Sequence, residues 1–337
     1  MNTSLNKNHN FRNKVTYLSF LLAVLIIYRH CLNVKIYNIT GAFYWLQELI
    51  NHLTDTIVPC FFTLSGYLFY QNFSYLKITE KLQSRVKTVI FPFLIWSFIG
   101  YLFFITIYYI AGDKINRELP PFELKQTLLD IFIYTKYNVT WFLFNLIVYT
   151  YTFPLLYKLF KNKIIGLLLM ISIIAIGYGL NNEFVLYSAP YAMGVYLGIH
   201  CKKLVQRQYN QYTIGVATLI FALSIIFESY FDLGLGTTHI TLRMMQIILI
   251  WIIADVLAID KTPKWWMTIS FFIYCTHSMI LESFEKAILI LLGNTHIGAL
   301  IDFICAPIMT FITIYLLAVI LRKNNIIWGC LTGFRNK

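Results

Sequence analysis

The sequence predicts an all-α polytopic membrane protein of about ten transmembrane helices with both termini in the cytoplasm. Three observations carry this. The 337 residues are 58% hydrophobic and only 12% charged, with a mean hydropathy of +0.66. Soluble domains carry roughly a quarter charged residues, so lipid rather than water must cover most of this surface. The apolar residues also gather into continuous runs near the ~20 residues that a spanning helix needs. They do not alternate along the chain, which argues against a β-barrel. Finally, the basic residues are sorted by the breaks between runs. All but eight of the 27 (Arg29, Lys35, Lys114, Arg117, Lys125, Lys136, Arg243 and Lys286) fall on the N-terminal side, which is the cytoplasmic side under the positive-inside rule.

Ten stretches read as spans: 15–34, 56–72, 88–110, 139–158, 164–180, 184–200, 212–230, 240–258, 266–285 and 298–321. The first follows a basic segment with Lys7, Arg12 and Lys14 but has no small-x-small cleavage site, so it reads as a retained span rather than a signal peptide. Residues 40–54 are shorter and more polar and read as an interfacial helix on the outer surface. Span two, "VPCFFTLSGYLFY", carries Pro59, Ser65 and Gly66, small or helix-bending residues that let helices approach closely. Spans five and six are joined only by "NNE", a tight hairpin. The net charge of +12 belongs to this topology. No basic stripe interleaved with aromatics points to nucleic acid.

Ionisable residues inside spans cost a few kcal/mol each and are functional candidates for that reason. The first span carries the pair Arg29 and His30 within "LLAVLIIYRHCLNV". His30 falls about 15 residues into its span, or about 22 Å, in the outer half. Position leaves two readings open: a functional histidine, or an interfacial one with Arg29 snorkelling to the head groups. Glu228, Arg243, Asp255, Glu282 and Glu285 are the other acids and bases in or near spans. Glu228 and Arg243 fall near the outer ends of successive spans, where an ion pair is expected. Span nine, "ISFFIYCTHSMILE", places Tyr274 and His277 three apart on one helix face. Trp141 opens span four as an interface anchor. Lys81, Arg85 and Lys87 precede span three. Such an inner cluster sets topology, and arginine can also grip phosphate.

The soluble catalytic signatures GxSxG, GxxxxGK[ST], HExxH and GxGxxG are absent. The six cysteines, Cys31, Cys60, Cys201, Cys275, Cys305 and Cys330, are scattered without a CxxC pair. Most lie in apolar runs and read as buried thiols, so neither a metal site nor a disulfide framework is expected.

Five segments in order resemble the membrane-bound acyltransferase family 3. They are the first-span His30, "FFTLSGYLF" (61–69), "RVKTVIFPFLIW" (85–96), "WFLFNLIVY" (141–149) and "ISFFIYCTH" (269–277). The resemblance covers residues 12–323 and leaves 1–11 and 324–337 as short cytoplasmic tails. It implies a bacterial cell-membrane enzyme that O-acylates surface carbohydrate, as the family's intercellular-adhesion-type members do. Acyl-CoA, most simply acetyl-CoA, is the implied co-substrate, with no bound cofactor. His30 is implied as general base on the acceptor hydroxyl, since neutral imidazole suits proton transfer near neutral pH. Arg85, with Lys87 beside it, is implied to hold the donor's phosphates. Ser65, Gly66, Trp141, Tyr274 and His277 match positions lining the site. The expected partners are therefore membrane lipid, acyl-CoA and a carbohydrate acceptor; protein partners are left open.

The chain departs from the family at two points. Ser19 stands where many members have a basic residue eleven before the histidine. Thr88 stands where many have a second arginine three after the first. Lys87 is the nearest cation, without arginine's fork. The competing expectation is an exporter of polysaccharide or lipid-linked sugar without acyl chemistry. Internal inverted repeats would favour it, and none is visible. A channel ranks third, because no filter or charge ring stands out.

Overall fold

The computed structural model describes residues 2–111, 122–231, 239–257 and 262–335, with residues 2–9, Lys35 and Ala111 as backbone only. Lys114, Arg117, Lys261 and Lys337, which entered the topology argument, lie outside these ranges, as does Ala258 at the end of span eight. The described residues form helices and no strand: α1 Asn2–His30, α2 Ala42–Asp55, α3 Ile57–Tyr70, α4 Ile78–Arg85, α5 Phe91–Ala111, α6 Leu124–Phe132, α7 Trp141–Phe160, α8 Lys163–Gly179, α9 Glu183–His200, α10 Gln211–Tyr230, α11 Ile240–Ile253, α12 Ser270–Leu292, α13 His296–Leu321 and α14 Asn325–Thr332. A π-helical turn, Val86–Ile90, joins α4 to α5.

Each of the ten stretches read as spans is mainly helical over its described residues. Among the described residues, five elements are long and apolar enough to cross a membrane by themselves: Asn10–His30, Tyr75–Ile110, Trp141–Phe160, Gln211–Tyr230 and His296–Leu321. Helix α3, at 14 residues, extends only about 21 Å. The helix starts are written in the sequence. Asn162, Asn182 and Asn210 precede α8, α9 and α10, and each side chain accepts backbone N–H groups of the first turn, the donors that have no partner within the helix. The "NNE" break is the expected tight hairpin, with Asn181 in the left-handed region at φ 47° and Asn182 as the cap.

By contact the chain divides into two compact units. The first unit comprises residues 1–78 and 149–270. It holds an apolar cluster: Leu18, Leu22 and Ile26 of α1 pack with Ile57, Cys60 and Leu64 of α3, Met193 of α9 and Ile247 of α11. Helices α3 and α9 touch backbone to backbone. A Cβ on Gly66 would lie 2.5 Å from the Tyr191 carbonyl oxygen, and one on Gly194 would lie 2.1 Å from that of Thr63. Only glycine fits at either position, as close membrane helix pairs require. The Thr63 hydroxyl adds a 2.9 Å bond to the Pro190 carbonyl across the same crossing.

The first span differs from its expected bounds. The helix starts before residue 15 and ends at His30 rather than running to 34. A side-chain lock stops it. The Gln47 amide accepts from the Asn33 N–H (2.9 Å) and donates to the Asn33 side-chain oxygen (2.8 Å). That reciprocal pair holds residue 33 out of the helix and against α2.

The second unit comprises residues 79–148 and 271–337. In it, the Trp96 indole of α5 donates to the Leu331 carbonyl of α14 at 2.9 Å. Phe272 lies between the Trp96 and Trp328 rings, at 5.8 and 5.1 Å. Ser97 donates to the Thr140 hydroxyl at 3.0 Å, tying α5 to the start of α7.

Candidate functional site

In the first unit, His30 is the last residue of α1 and is exposed. It therefore sits at the very end of its span, further along than its place in a 15–34 segment gave. Its neighbour Arg29 does not snorkel. Arg29 Nη1 donates to the Asn51 carbonyl at 2.9 Å and contacts the Asn51 side chain, and Nη2 lies 3.1 Å from an Asp55 carboxylate oxygen. Gln47, Asn51 and Asp55 recur every four residues, so they share one face of α2. That face turns inward and gives Arg29 a partner better than head groups.

Asp55 opens a buried polar network. Its second carboxylate oxygen lies 2.8 Å from Arg243 Nε. Arg243 Nη1 donates to Glu228 at 2.6 Å and to the Gln246 side-chain oxygen at 2.9 Å. The Gln246 amide donates to Glu228 at 2.9 Å, and the Thr56 hydroxyl to Gln246 at 2.7 Å. His52 Nδ1 stands 3.5 Å from Glu228. Arg243, Glu228 and Gln246 are each 0% exposed. The ion pair expected between Glu228 and Arg243 is present, but it is part of something larger. Two cations, Arg29 and Arg243, neutralise two carboxylates, Asp55 and Glu228. The arrangement ties α1, α2, α10 and α11 together beside His30.

A second buried pair lies midway along α1. Lys14 Nζ is 2.7 Å from Asp255 and 4.1 Å above the Trp251 ring. Asp255 also accepts from the Tyr209 N–H at 2.9 Å. This pair accounts for Asp255, whose partner the sequence did not reveal. Of the site-lining candidates in this unit, Gly66 is buried at the α3–α9 crossing and Ser65 beside it is half-buried.

The second unit holds the remaining candidates. Tyr274 is buried and its hydroxyl donates to the Val139 carbonyl, two residues before Trp141. Its ring meets Phe142 edge-on at 5.4 Å. Tyr274 therefore anchors the segment that opens α7, where Trp141 stands half-buried. His277 is 0% exposed, with Nδ1 2.7 Å from the Tyr274 carbonyl. A carbonyl only accepts, so Nδ1 carries a proton. Glu282 pairs with Lys286 one turn on. Arg85 ends α4 half-buried, and Lys87 is exposed on the π-helical turn. Among the described residues no group of His, Cys, Asp and Glu could hold a metal ion, and the six cysteines are free thiols.

The fold is that of a multi-pass α-helical membrane protein with histidines and charged groups set into apolar helices. The chain belongs to the acyltransferase 3 family: the family's model, an acyltransferase domain, matches residues 13–322. It is a membrane acyltransferase. Neither the curated proteins nor the solved structures contain a match.

Proposed function

We propose that the protein is a membrane O-acyltransferase. It moves an acyl group, most simply acetyl, from acyl-CoA to a hydroxyl of a cell-surface or lipid-linked carbohydrate at the bacterial cytoplasmic membrane. The chain crosses that membrane ten times with both ends inside. Family membership favours transfer over simple export. The observation that carries the catalytic reading is His30: an exposed imidazole at the end of an apolar helix, with the adjacent residue clamped to α2 by Asn51 and Asp55. The clamp fixes the end of α1, as a general base requires.

In this reading the His30 imidazole takes the proton from the acceptor hydroxyl as its oxygen attacks the thioester carbonyl. The tetrahedral intermediate collapses to the ester, the carbon–sulfur bond breaks, and the CoA thiolate takes a proton from imidazolium. Arg85 and Lys87 hold the donor's phosphates from the cytoplasmic side. Trp141, Tyr274 and His277 are the further site residues of this reading, and the carbohydrate and lipid are the remaining partners. The reading is tested with purified protein in lipid nanodiscs supplied with acetyl-CoA and glycan from the host cell surface. Free CoA thiol is expected to appear at a rate that depends on both protein and glycan. Thiol release that does not respond to glycan would refute the transferase reading.

A further inference from the structure

The 85–96 segment resembles its family except at residue 88, where threonine stands in place of a second arginine. The structure brings a guanidinium to that position from elsewhere. Helix α14 ends at Gly333, which adopts the left-handed region with φ 71° and ψ 32°. A Cβ there would lie 2.7 Å from the Thr88 carbonyl oxygen and 2.8 Å from Thr88 Cα. Both the conformation and the space demand glycine. The Phe334 N–H returns to the Gly329 carbonyl at 2.9 Å, and the tail thereby closes onto the π-helical turn. The next residue is Arg335. Its Nη2 donates to the Thr88 carbonyl at 2.8 Å, and its guanidinium lies 3.8 Å above the Phe271 ring. This places the C-terminal tail and the start of α5 at one end of the second unit.

We infer that Arg335 supplies from the C-terminal tail the second guanidinium of a phosphate site at residues 85–88, and that this site binds the phosphates of acyl-CoA. The inference rests on the acyl-CoA reading above. A guanidinium carries five N–H donors, and the Thr88 carbonyl takes one. The Phe271 face fixes the plane of the group, so its remaining fork is pre-organised for a phosphate oxygen pair. Arg335 is exposed to solvent, where a ligand can reach it. It stays charged at neutral pH. Arg85 stands three residues before the Thr88 carbonyl that Arg335 holds, and two like charges on one short segment favour an anion there. The π-helical turn is a common device where a helix is remodelled for function.

The test is coenzyme A binding to the full-length protein in nanodiscs, followed by calorimetry. Arg335→Gln is expected to weaken binding about tenfold to a hundredfold, the range of charge-assisted phosphate bonds. Gly333→Val, which keeps Arg335 but drives the tail off Thr88, is expected to weaken it comparably. Thr88→Arg added to Arg335→Gln returns the missing guanidinium from its usual place and is expected to restore binding. A purely structural tail contact would show no such rescue. Wild-type affinity in Arg335→Gln, or failure of the rescue in a variant that melts like wild type, overturns the assignment and leaves the transferase reading standing. A wild-type protein that binds no coenzyme A overturns both.

Discussion

Arg243→Met is expected to destabilise the protein by about 3–5 kcal/mol, the cost of removing one partner from a buried ion pair. Arg243 is fully buried and lies 2.8 Å from Asp55 and 2.6 Å from Glu228. Without it, Glu228 keeps the hydrogen bond from the Gln246 amide and His52 at 3.5 Å. Asp55 keeps Arg29. The loss should therefore be carried mainly by Glu228, and Arg243→Met/Glu228→Gln should recover part of it. Thermal unfolding in nanodiscs and abundance in the membrane measure this. A single variant within about 0.5 kcal/mol of wild type, the range of an ordinary surface change, would show that the network does not hold these helices together.

His30→Ala is expected to lower kcat for acyl transfer by about 10²- to 10⁴-fold, the usual contribution of a positioned general base. The KM for acyl-CoA should be unchanged, because donor binding is assigned to Arg85, Lys87 and Arg335. Arg29→Gln is expected to cost less. It loosens the clamp to Asn51 and Asp55 but leaves the imidazole in place. Steady-state kinetics on the reconstituted protein separate the two. An Arg29 variant as inactive as the His30 variant would mean that the guanidinium acts directly on the acceptor.

The helices were legible because composition alone dictates them: runs of apolar residues cannot be covered by water, and asparagines mark where several helices begin. The Glu228–Arg243 pair was legible because two opposite charges near the same ends of successive spans have few other partners. The rest of the network was not. Gln47, Asn51 and Asp55 carry the four-residue spacing of one helical face, but a polar face on a short segment reads equally well as facing water. That it turns inward depends on Arg29 and Arg243, which are distant in sequence. The end of α1 at His30 was hidden for the same reason, since it depends on the Asn33–Gln47 lock. Arg335 lies 247 residues from Thr88 in what reads as a plain tail. The only hint was the glycine at 333, which a left-handed helix cap requires.

The most direct test of the account is the ester content of surface glycans. Glycans are isolated from cells carrying wild-type protein, His30→Ala at equal membrane abundance, or neither, and acyl groups are released by mild base. The account predicts ester with wild type alone. Equal ester in all three, or ester in the His30→Ala cells at the wild-type level, would contradict it.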